Sequence, residues 1–106
     1  MAKDKKKAIR AAFNEACLKR DGNQCVMCGA KNVKLDVHHI TNREDIPNGG
    51  YVKENGITLC DPDCHMKAED TYFGRDHYAG FSPEDLYSKI GSSKELAFKM
   101  SQKKTI

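Results

Sequence analysis

Residues 25–65 read CVMCGAKNVKLDVHHITNREDIPNGGYVKENGITLCDPDCH. Two cysteine pairs, Cys25/Cys28 and Cys60/Cys64, bracket the double histidine His38-His39, and His65 closes the run. Four cysteines and three histidines thus fall within 41 residues. Thiolates at such spacings hold a structural zinc, and imidazoles bind a second ion or move protons. Cys25, Cys28, Cys60 and Cys64 are therefore read as one zinc site. Thirty-one residues separate the two pairs, against about 15–20 in a simple ribbon, so a segment is inserted between them, and it carries the double histidine. The second pair has three intervening residues, which the usual ligand spacing tolerates. His65 in place of Cys64 is the alternative fourth ligand.

Working outward, Val33 to Ile40 alternates apolar and polar residues as a strand does, with Val33, Leu35 and Val37 on one face and Lys34, Asp36 and His38 on the other. Residues 41–56 form a polar loop, and Ile57 to Leu59 is a short second strand. Pro62 stands where a helix begins, and residues 63–70 fit a helix carrying His65. Upstream, residues 4–20 read as an amphipathic helix with Ile9, Phe13, Ala16, Cys17 and Arg20 on one face and Gly22 as its stop. Downstream, Ser82-Pro83-Glu84-Asp85 is a helix start with a cap, a first-turn proline and a capping-box acid. That helix runs to about Ile90, and a last short helix opens after Gly91-Ser92. Phe13, Phe73, Tyr78 and Phe81 are expected in the core, Cys17 as a small core residue, and His77 on the surface.

The 106 residues, with 39% hydrophobic content, suit one small domain (1–106) that needs a metal to complete its core. Five cysteines, an odd number, argue against a pure disulfide framework. Met1-Ala2-Lys3-Asp4 opens into lysines without an apolar segment, and no stretch approaches the roughly 18 apolar residues of a membrane span. The expectation is a cytoplasmic protein in a reducing compartment with no membrane partner. Net charge is +3, but residues 1–20 hold seven Lys/Arg and two Asp/Glu, so the positive surplus is N-terminal. Lys5, Lys6, Arg10 and Lys19 on that helix are candidates for binding a polyanion.

Leu35-Asp36-Val37-His38-His39-Ile40, Asn55-Gly56-Ile57-Thr58-Leu59-Cys60 and Cys64-His65 resemble the HNH endonuclease family of ββα-metal nucleases. Arg20-Asp21-Gly22-Asn23-Gln24-Cys25 resembles the lead into the knuckle of its zinc-containing members. The resemblance covers about residues 18–70. It implies a small ββα-metal (HNH) finger with a structural zinc knuckle, and with the basic N-terminal helix (4–20) and the C-terminal helical extension (82–100) read from the residue pattern the expected fold is α+β. It also implies His39 as general base, His38 and His65 as ligands of a divalent ion, and Asn55 as the brace of the ββ loop that holds the base in position. Hydrolysis of DNA phosphodiesters follows, by nicking or double-strand cleavage, with double-stranded DNA as the expected substrate and a phage or mobile-element setting. The alternative is a catalytically inactive zinc module that binds DNA or protein.

The chemistry of the residues supports the same assignment. A histidine with a pKa near 6.5 is a suitable base at neutral pH. Two neutral imidazoles leave a bound ion its full charge, and they suit Mg²⁺, Mn²⁺, Ni²⁺ or Zn²⁺. Adjacent strand residues point to opposite faces, so His38 and His39 enter one site only where the strand ends or bulges. Asp36 is read as a solvated strand residue, with a place beside the ion's ligands as the alternative. Glu69, one helical turn after His65, has a lesser claim to face the ion.

Overall fold

The protein, described here by a computed structural model over residues 2–103, is built on a two-stranded antiparallel sheet. Strand β1 (Leu35–His39) pairs with β2 (Gly56–Cys60) so that Leu35 faces Cys60, His38 faces Ile57 and His39 faces Gly56. Helix α1 (Ala2–Arg20) covers one face and α2 (Asp63–Phe73) the other. Phe13 and Cys17 of α1 meet Gly56 on the first face, where a Cβ on Gly56 would lie 2.5 Å from the Cys17 sulfur and 2.6 Å from the Phe13 ring. The absence of a side chain is what lets α1 approach this closely. On the other face Ile57 and Leu59 are wholly buried, in one cluster with Ile40, Ala68 and Leu86.

All five residues of β2 are buried, although only one strand pairs with it. Its free edge is covered by the turn after α1. Arg20 donates to the Gly56 carbonyl (2.6 Å) and the Lys53 carbonyl (2.6 Å), Asp21 accepts from the Thr58 amide (3.0 Å), and the Val26 amide donates to the Thr58 carbonyl (2.9 Å). An edge strand so satisfied offers no template for another chain. Arg20, expected on the apolar face of the helix, is therefore an edge cap instead.

The connection from β1 to β2 is more structured than the sequence suggested. It contains three 3-10 turns, Arg43–Asp45, Pro47–Gly50 and Lys53–Asn55. Helix α3 (Pro83–Lys89) begins with the expected capping box, in which the Ser82 hydroxyl accepts from the Asp85 amide and Asp85 accepts from the Ser82 amide. Helix α4 (Lys94–Lys103) packs on the second and third 3-10 turns. The Ser101 carbonyl accepts from Asn48 at 2.9 Å, and the Ser92 hydroxyl donates to the Glu54 carbonyl at 2.8 Å. The C-terminal extension thus buttresses the long loop.

Three expectations need correction. The first strand starts at Leu35 rather than Val33, and Val33 is 49% exposed because it precedes the first ladder pair. Phe73 is likewise 49% exposed, since it ends α2 where no further element covers it. Tyr78 and Phe81 are half-buried, and only Phe81 packs against the core. Cys17 and Phe13 are buried and His77 is exposed, as read from the sequence. Among the described residues no helix is long and apolar enough to cross a membrane.

Candidate active site and zinc knuckle

The knuckle forms where two backbone turns converge. Gly29, in the left-handed region at φ 78°, closes the first turn, and its amide donates to the Cys25 carbonyl at 2.8 Å. The second turn carries Cys60 at the end of β2 and Cys64 in the first turn of α2. The four sulfurs lie within 4.8 Å of one another, and those of Cys28 and Cys60 are 3.7 Å apart. A tetrahedron of sulfurs about 2.3 Å from a zinc ion has edges of about 3.8 Å, so the thiols fit that ion. Cys64 takes the fourth corner, and His65 turns away to other partners. Burial pushes the Cys25 thiol up, but the Cys28, Cys60 and Met27 amides outweigh this and bring it down to about 7, whereas burial, with the neighbouring sulfurs, pushes Cys60 and Cys64 up, so the amides favour the thiolate at Cys25 alone of these three.

His38 and His39 occupy the end of β1 and point to opposite faces, as a regular strand requires. No bulge is needed to bring them to one site, because a 310 Å³ cleft wraps around the strand end and is lined by both rings, with His65 and Glu69 from α2, Arg10 from α1, and Arg43 and Tyr51 from the loop. His39 lies on the α1 side, its ring 4.7 Å from Phe13 and edge-on to Tyr51 at 4.9 Å. His38 lies on the α2 side, its ring 5.3 Å from that of His65. The Nε2 atoms of His38 and His39 are buried and make no hydrogen bond among the described residues. Burial holds both rings neutral: it lowers the His38 pKa to about 3, aided by His65 and His39, and the His39 pKa to about 4, aided by Arg43. Each therefore presents a lone pair at neutral pH.

Asn55 is wholly buried and does not face the cleft. Its Oδ1 accepts from the Thr41 amide (2.9 Å) and the Tyr87 hydroxyl (2.7 Å), and its Nδ2 donates to the Thr41 (3.1 Å) and Gly50 (3.2 Å) carbonyls. Its backbone carbonyl accepts from the Ile40 amide at 2.8 Å. These bonds pin the chain just after His39 to the start of β2. The same constraint demands Gly50, at φ +67°, where a Cβ would lie 2.5 Å from the Asn55 side chain.

His65 is held by carboxylates. Its Nδ1 lies 3.4 Å from Asp36 and 3.5 Å from Asp61, and its Nε2 lies 2.9 Å from Glu69. Asp36 is therefore not a purely solvated residue but a neighbour of the imidazole expected to bind the ion, because strand alternation puts it on the His38 face. Asp36, Asp61 and His65 bring ligand atoms within 4.8 Å of one another, a donor set that could hold a divalent cation, and the His38 ring stands beside it.

The basic candidates divide. Arg10 lines the cleft and a 440 Å³ groove beside it, and Lys6 lines that groove. Lys5 is exposed away from both, and Lys19 lines a separate depression with Leu18 and Asn23, since the turn of the helix carries it off the Arg10 face. Sequence reasoning missed Arg43, Tyr51 and Tyr87. An arginine and an aromatic residue inside an otherwise polar loop were the available signal for the first two.

With this geometry in place, residues 25–71 match the family model of the HNH endonucleases, the family that the sequence resembles. Comparisons with curated proteins and with solved structures gave no match. The family is one of nucleases that use divalent metals, which suggests a hydrolase acting on nucleic acid.

Proposed function

We propose that this protein is a metal-dependent endonuclease that hydrolyses phosphodiester bonds of double-stranded DNA, cutting one strand or both, at the cleft around His39. The observation that carries the reading is the cleft around the strand end, lined by His38, His39 and His65 together with two arginines. His39 is the base: its neutral ring, on the side that lines the cleft, takes the proton of the attacking water. Phe13 and Tyr51 hold its ring against rotation, so the lone pair keeps one direction. Asn55 fixes the strand end that carries it, as a positioning residue. Arg10 and Arg43 bind backbone phosphate, and Lys6 extends that contact along the neighbouring groove. His38 and His65 would hold the divalent ion, with Asp36 and Asp61 beside His65, and Mg²⁺, Mn²⁺, Ni²⁺ and Zn²⁺ are the candidates. When bound, that ion supplies positive charge to the phosphoryl and leaving oxygens. The knuckle zinc holds the fold.

A plasmid-nicking assay with each of the four ions tests the proposal. Wild type relaxes or linearises the plasmid with at least one ion, and His39→Ala abolishes this while still binding DNA. Binding by wild type without cleavage in any ion would instead identify a catalytically inactive module.

A further inference from the structure

Resting on the nuclease reading, we infer that Tyr51 is a positioning residue that ties the base to the phosphate-binding arginine, its ring holding His39 and its hydroxyl holding Arg43. The two contacts come from opposite ends of one side chain. The ring meets His39 edge-on at 4.9 Å with an interplanar angle of 89°, and meets Phe13 edge-on at 5.8 Å. His39 is thus clamped between an aromatic residue of α1 and one of the loop. The hydroxyl accepts from Arg43 Nη1 at 3.2 Å. Burial raises the Tyr51 pKa, but Arg43 and Arg10 outweigh it and lower the net value, so both guanidinium groups act on this one oxygen.

The backbone places Tyr51 with little freedom. Gly49 and Gly50, at φ +80° and +67°, turn the chain just before it, and a Cβ on Gly49 would lie 2.7 Å from the Tyr51 ring. A side chain at residue 49 would therefore push the ring off His39. Tyr51, Arg10 and Arg43 also line both the cleft and the adjoining groove. Tyr51 stands at the junction of the two, so a backbone running from the groove into the cleft passes the tyrosine at the point where the base begins. A guanidinium fixed by a hydrogen bond loses less freedom when it takes up a phosphate.

The two halves of the contact separate by substitution. Tyr51→Phe keeps the ring and loses the hydroxyl, so KM for a DNA duplex rises about tenfold while kcat stays near wild type. Tyr51→Leu also removes the ring, and kcat falls as well. A double-mutant cycle of Tyr51→Phe with Arg43→Gln, read as Kd for a labelled duplex without added divalent ion, gives a combined loss smaller than the product of the single losses. Additive losses, or a Tyr51→Phe variant that lowers kcat and leaves KM unchanged, overturn the inference. If wild type neither binds nor cleaves DNA, the nuclease reading fails on its own. The Tyr51 contact is then decided by the ¹⁵N spectrum of the His39 ring, which Tyr51→Leu must shift and Tyr51→Phe must not.

Discussion

The Tyr87 hydroxyl donates to Asn55 Oδ1 at 2.7 Å and stands 2.6 Å from the Thr41 hydroxyl, so a residue of α3 completes the brace behind the double histidine. Tyr87 lies outside residues 25–71, the stretch that matches the family. The C-terminal extension is therefore part of what holds the strand end in place.

Tyr87→Phe keeps the ring packed and removes both bonds in a buried setting. A loss of about 1–3 kcal/mol in denaturant unfolding is expected, with a lower cleavage rate because the segment after His39 loosens. An unchanged unfolding midpoint would mean that Asn55 needs no help from α3.

Replacing Cys25 by serine, or stripping zinc with a strong chelator, unfolds the protein. The four sulfurs join the first turn, β2 and α2, and the binding free energy of the metal is folding free energy. Circular dichroism alongside zinc release measures this, and a native spectrum after complete zinc loss contradicts it.

His39→Ala removes activity with little change in stability. The buried, unpaired Nε2 costs the fold about 1–3 kcal/mol, similar in size to the ring packing lost with it. Thermal melts of the zinc-loaded proteins test this, and destabilisation equal to that of Cys25→Ser would merge two roles that the fold keeps apart.

Acid sensitivity follows from the same ring. The unfolded chain takes up a proton at His39 near pH 6.5, but burial keeps the folded ring neutral to about 4. The unfolded state binds more protons in that window, so this contribution is complete above pH 6.5 and is lost as pH falls towards 4. Between pH 7 and 5.5 the zinc-loaded wild type should lose about 1.3 kcal/mol more than His39→Gln. Parallel pH profiles for the two would show that the ring is not neutralised by burial.

Gly56→Ala forces a methyl group into the 2.5–2.7 Å space before Cys17 and Phe13. Overpacking costs about 1–3 kcal/mol. The double variant Gly56→Ala/Cys17→Ala should recover part of that loss in urea unfolding, since it frees space on the same side.

The cysteine pairs and the histidines were legible because their spacing itself encodes a site: two knuckle turns, a strand end and a helix start. The capping box at Ser82 was legible for the same local reason. Less accessible was everything set by contacts between distant segments. Arg20 and Asp21 read as the end of a helix and a lead into the knuckle, yet they cap a strand more than thirty residues away. Arg43 and Tyr51 sit in a loop whose turns have no periodicity to read. Asp36 looked solvated because alternation reveals a face but not what stands opposite it, which here is His65 on α2. Lys19 shared a basic helix with Arg10, and only the helical turn, set against the cleft, separates them.

Strand β2 begins one residue after Asn55 and ends on Cys60, so five residues set the distance between brace and knuckle. That makes the strand a ruler. An insertion or deletion within it would throw either the amide brace or a sulfur onto the wrong face, and the loop before it is tied in register as well, through Asn48 to Ser101 and Gly50 to Asn55.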